Sequence, residues 1–156
     1  SCCAYHHRIL PPRPGTAVCL ASTRYEFRMH TISSPNAPTP AGHYSHAIVH
    51  NGLVYVAGQL GIDPKRPGHT PDDIEVQTEQ ALRNIANILI AAGSDLHCVV
   101  SMTVYVSDMS DWGRVNAIYA RAFGDHKPAR AVIPVKDLHH GFRIEISCVA
   151  AVASAG

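Results

Sequence analysis

The chain reads as an α+β domain, a mixed β-sheet with two helices on one face. Three observations predict this. Asn51-Gly52 separates two β-rich runs; apolar residues recur at helical spacing in two later segments; and β-rich runs follow each of those segments. The expected order is β-β-α-β-α-β-β.

The elements follow from local chemistry. Asn and Gly tolerate the positive φ angles of a type I′ turn, so residues 45–50 and 53–60 are expected to pair antiparallel. In "TPDDIEVQTEQALRNIANILIAAG" Thr70 is the expected cap, Pro71 fits the first helical position and Gly93 suits a left-handed ending. Ile74, Ala81, Leu82, Ile85, Ile88, Leu89 and Ala92 share its apolar face. Residues 99–106 form a strand. A second helix starts near Asp108 or Ser110, buries Trp112, Val115, Tyr119, Ala122 and Phe123, and stops at Gly124. Residues 130–135 form a strand whose Pro134 places it near an edge. The last strand sets Phe142, Ile144, Ile146, Cys148 and Ala150 on one face, with Arg143, Glu145 and Ser147 on the other.

Composition bounds the function. At 156 residues, 46% hydrophobic and 16% charged, the chain suits one domain with a real core. Residues 1–32 read as an N-terminal extension and 33–156 as the domain. The first 30 residues carry four arginines against Glu26, a charge of +3; the remaining nine basic and eleven acidic residues leave −2. An acidic domain lacks the basic footprint of a dedicated nucleic-acid binder. The Arg-rich start fits either a mitochondrial transit segment or upstream sequence preceding Met29, and without a transit segment a cytoplasmic location is expected. No stretch has the roughly 18 uninterrupted apolar residues of a membrane helix. Of five cysteines, Cys98 and Cys148 sit in apolar runs and read as free core thiols.

The runs "LVYVA" and "VVSMTVYV" are apolar on both faces, while two helices cover one. A homo-oligomer packing sheets around an axis would cover the other and place pockets at subunit boundaries.

No phosphate loop, nucleophile elbow or paired zinc motif is present. Eleven histidines invite a metal reading, but His46 and His50 lie about 13 Å apart at strand rise, and the adjacent His139 and His140 point in different directions. No metal site is expected. In "KPARAVIPV" a permanent cation, Arg130, heads an apolar strand, and Glu145 sits on the polar face of the next strand. Antiparallel pairing of those two strands would bring both residues to one side. They then form either a salt bridge at the sheet rim or a site, since a guanidinium grips a carboxylate bidentately and a buried ion pair is a poor stabiliser.

"AGHYSHAIVHNGLVYVAGQLGIDP", "DIEVQTEQALRNIANILIAAGSDL", "VVSMTVYVSDMSDWGRVNAIYARAFGDHKPAR" and "RIEI" resemble, in order and spacing, the RidA/YjgF/L-PSP family of reactive-intermediate deaminases, from about Ser33 to Val152. The resemblance implies a chorismate-mutase-like α+β fold in a homotrimer with clefts between subunits. It implies hydrolysis of 2-imino and enamine acids such as 2-aminoacrylate to 2-keto acids and ammonia, with no metal or organic cofactor. By motif position, Arg130 falls on the carboxylate-binding arginine and Glu145 on the glutamate associated with the hydrolytic water. Tyr44, Gly58 and Asn116 fall on cleft positions. Ala57 stands where many members have Ser, Val132 where Cys is frequent, His43 and His46 where "GPYSQ" has Pro and Gln, and "LHHG" lacks a Pro. Two other readings stay open: a trimer that binds small carboxylates through the same arginine without turnover, and an endoribonuclease or translation inhibitor, for which no acid-base arrangement of side chains stands out.

Overall fold

Asn51 and Gly52 both adopt positive φ, 51° and 75°, and the turn they make joins two antiparallel strands. In the computed structural model, which describes residues 29–153, these strands are β2 (Ala47–His50) and β3 (Leu53–Leu60). A short strand, β1 (His30–Ile32), precedes them, with α1 (Ile74–Ala91), β4 (Val99–Val106), α2 (Trp112–Phe123), β5 (Ala129–Pro134) and β6 (Ile144–Ala151) after. The sheet order is β1-β2-β3-β6-β4-β5. All neighbours are antiparallel except β4 and β5, which the crossover through α2 makes parallel. Both ends of the sheet follow from the chain's economy: β1 closes one edge, and β5 with Pro134 forms the other.

β1 was not expected, and its three residues lie within the stretch read as extension. Everything expected of residues 1–28 lies outside the described residues.

Both helices lie on one face. Ile85, Ile88 and Leu89 of α1 pack with Val115, Ile118 and Phe123 of α2 against Val54, Val56, Met102, Val104, Ile144 and Ile146. Each fully buried aliphatic side chain contributes about 1.5–3 kcal/mol. Two buried amides tie α1 to the strand ends. Asn84 donates to the carbonyls of Leu60 (3.1 Å) and Ile62 (2.9 Å), while Gln77 donates to Pro71 (2.6 Å) and accepts from the Arg143 N–H (2.8 Å). These bonds fix where β3 ends and β6 begins, the two places from which the site is built.

Three local expectations are corrected. Asp73 caps α1, accepting from the Glu75 N–H at 2.7 Å, while the Thr70 hydroxyl donates instead to the His140 carbonyl at 2.9 Å. Trp112, the first residue of α2, is 43% exposed. The Arg130 and Glu145 strands are not neighbours, because β4 lies between them. Among the described residues no helix is long and apolar enough to cross a membrane, and no cluster of three metal-ligating side chains forms.

Candidate active site

Along β3, Val56 pairs with Cys148 and Gln59 with Ile146, so three steps on β3 face two on β6. The extra residue makes a bulge at Ala57-Gly58, a device that re-aims a strand. Buried Gln59 holds the bulge by donating to the carbonyls of Ala57 (3.2 Å) and Gly58 (3.1 Å), and the Ala57 N–H donates to the His46 carbonyl (3.0 Å). The carboxylate of Glu145 lies directly on Gly58. A Cβ there would overlap Oε1 and approach Cδ to 2.9 Å, so glycine makes room for the acid.

Glu145 is half-buried, and its side chain makes no ion pair or hydrogen bond among the described residues. It opens into a cavity of about 590 Å³ whose walls include Tyr44, Ala57, Gly58, Leu60, His139 and His140. The outer wall hangs on His46, 3% exposed. Its Nδ1 accepts from the Ser34 N–H (3.0 Å) and its Nε2 faces the Pro38 carbonyl (2.8 Å), which fixes the Nε2–H tautomer. His140 sits in the left-handed region, φ 59°, held by the Thr70 bond.

Arg130 belongs to a different neighbourhood. It is in register with Met102 and, through it, Cys148, both buried under the helices. Glu145 is in register with Tyr105 and Ile133 on the opposite face. The two residues expected on one side of the sheet therefore point to opposite sides of it, and no salt bridge joins them. The Arg130 side chain makes no ion pair or hydrogen bond among the described residues; its guanidinium carbon lies 4.6 Å from the centroid of the Tyr119 ring. Val132, two residues on, packs against the core, and Asn116 lies one helical turn before Tyr119.

Seven sequence candidates thus fall into two groups. Tyr44, Ala57, Gly58 and Glu145 share the cavity; Asn116, Arg130 and Val132 gather at the β5 edge. Sequence reasoning assigns no part in the cavity to His46, Gln59, His139 or His140. His139 and His140 both line the cavity, their ring centroids 6.0 Å apart.

Burial sets the electrostatics of the helix side. It pushes the Tyr119 phenol above its usual range, opposed in part by the nearby Arg130 charge, and pushes the Cys148 thiol up to about 12. Both groups are neutral near pH 7, and Cys148 is no nucleophile.

The family model described as Endoribonuclease L-PSP matches residues 34–152. A RutC family protein of Pyrococcus horikoshii is 44% identical over 119 residues, covering 76% of this chain and 94% of the relative. The mouse (Mus musculus) protein named 2-iminobutanoate/2-iminopropanoate deaminase is 41% identical, covering 76% of this chain and 88% of its own. The crystal structure of RidA from the Antarctic bacterium Psychrobacter sp. PAMC 21119 aligns with a TM-score of 0.76 at 34% identity, over 79% of this chain and 99% of that one. A matched family model across most of the domain, relatives above 40% identity and a shared fold place the chain in the RidA/YjgF/L-PSP family.

Proposed function

We propose that the protein hydrolyses 2-imino acids, and enamine tautomers such as 2-aminoacrylate, to 2-keto acids and ammonia in clefts between copies of a homotrimer. One observation carries the reading: an unpaired arginine and an unpaired carboxylate lie on opposite faces of one sheet. A single copy does not close a site around both. A neighbouring copy set against the open face would bring its Arg130 to this copy's Glu145, and would also cover Tyr55 and Ile133, 46% and 39% exposed there. The names of relatives at about 40% identity support the chemistry.

The reaction asks little of the protein. A protonated imine is already electrophilic, so the site needs mainly to hold the reactants in place. Arg130 of one copy grips the substrate carboxylate in a bidentate pair. Water attacks the imine carbon, forming the C–O bond; Glu145 takes a proton from that water and returns it to nitrogen. The C–N bond of the resulting aminoalcohol then breaks as its hydroxyl proton passes to the departing ammonia, releasing ammonium and leaving the keto group, with no electron gained or lost overall. Ala57 offers no hydroxyl, so polar contacts at the bulge come from backbone groups around Gly58, where the missing side chain allows close approach.

The test couples an amino-acid oxidase or dehydratase to the purified protein and follows 2-keto acid release. The reading expects release above the buffer rate, with roughly 100-fold loss of kcat/KM in Arg130→Ala. Release at the buffer rate, or full activity in the variant, rejects it. The small-carboxylate binding alternative would show as affinity for pyruvate without turnover. The net −2 charge of residues 31–156 gives an RNA-cleaving role little support.

A further inference from the structure

Arg130 poses a mechanical problem. It stands on an edge strand, carries a long flexible side chain, and has no acidic or hydrogen-bonding partner among the described residues. A carboxylate grip needs the guanidinium held in place before the ligand arrives, since ordering a rotamer-rich side chain on binding costs affinity. A salt bridge would order it but would occupy the donors the ligand needs.

We propose that Tyr119 is the positioning residue for Arg130, its ring serving as a cation–π platform that orders the guanidinium and leaves its N–H donors for a small carboxylate. The inference rests on reading Arg130 as the carboxylate grip. The 4.6 Å separation is well inside the roughly 6 Å range of such contacts. The platform is rigid where Arg130 is not. Tyr119 is 7% exposed and packs against Phe123 with centroids 4.5 Å apart. Phe123 in turn lies 6.0 Å from the ring of His126, whose Nε2 hydrogen-bonds the Val99 carbonyl at 2.7 Å. The same histidine ties down the connection leading from α2 to Arg130, so platform and strand are fixed by one set of contacts.

The hydroxyl of Tyr119 separates the roles of ring and polar group. It is buried and has no hydrogen-bond partner among the described residues. An unsatisfied buried hydroxyl does not stabilise the fold, so the position contributes through its aromatic face.

The experiment measures pyruvate affinity by calorimetry, beside steady-state kinetics, on the full chain with Tyr119→Phe and Tyr119→Leu. Tyr119→Leu is expected to weaken pyruvate binding roughly 5- to 30-fold, raising KM with kcat changed less than about 2-fold. Tyr119→Phe is expected to retain affinity within about 2-fold, which a role for the hydroxyl would not allow. Should Tyr119→Leu fail to fold, fluorinated phenylalanines at position 119 keep the shape while weakening the ring's negative face, and affinity is expected to fall with each added fluorine. Unchanged affinity in Tyr119→Leu or along the fluorine series overturns the proposal, as does an equal loss in Tyr119→Phe or the absence of pyruvate binding by the unsubstituted protein. Absent turnover with an intact affinity series would reject the deaminase reading and leave this inference standing.

Discussion

The carboxylate of Glu145 rests on the α-carbon of Gly58, in space that any side chain at position 58 would fill. The contact joins β6 to the bulge of β3, so the acid's position depends on a residue with no functional group. Gly58→Ala is therefore expected to displace Glu145 from the cavity wall. Misplacement on the order of 1 Å costs up to ~100-fold in rate, and a loss of kcat of that order is expected with the far-UV circular dichroism unchanged. A variant with full turnover would separate Glu145 from the chemistry.

His46 is a staple for the cavity's outer wall. Removing its ring in His46→Ala leaves the Ser34 N–H and the Pro38 carbonyl without their partners. With two hydrogen bonds lost and a small void opened, unfolding free energy is expected to fall by about 2–3 kcal/mol. Urea denaturation followed by tryptophan fluorescence measures it; a loss under about 0.5 kcal/mol would show that the wall holds by packing alone.

Much of the architecture was legible because local signals agreed. Asn51-Gly52 demanded the hairpin it makes, Gly93 and Gly124 end the helices with positive φ, and Ile144, Ile146, Cys148 and Ala150 alternate into the core as their spacing requires. Strand order was less legible. Adjacency in sequence suggested pairing the Arg130 and Glu145 strands, but the crossover through α2 lays β5 beside β4, and β6 takes the other side of β4. That insertion separates the two candidate residues onto opposite faces. The helix start moves from the expected Thr70 cap to Asp73 because tertiary contact with His140 claims the Thr70 hydroxyl. His46 was unreadable because its partners are backbone atoms of a loop, which no side-chain pattern announces.

Alkaline stability follows from the helix-side core. Burial raises the Cys148 thiol from the ordinary 9.0 to about 12 and raises the Tyr119 phenol above 10.0. Both groups hold their protons more tightly folded than unfolded. Their contribution is thus fully present below about pH 9 and is lost as pH climbs towards 12. Thermal midpoints measured from pH 8 to pH 11 are expected to fall, and less steeply in Cys148→Ala. Equal slopes would mean that Cys148 ionises as readily folded as unfolded.

The division of Arg130 and Glu145 between two copies is tested most directly by complementation. Arg130→Ala and Glu145→Gln chains, each nearly inactive alone, are co-expressed and purified as mixed oligomers of verified composition. If every cleft takes its arginine from one copy and its glutamate from the next, each mixed trimer restores one of its three sites, about a third. The account predicts imine hydrolysis at about that fraction of the unsubstituted rate. Mixed oligomers no more active than their parents would contradict it.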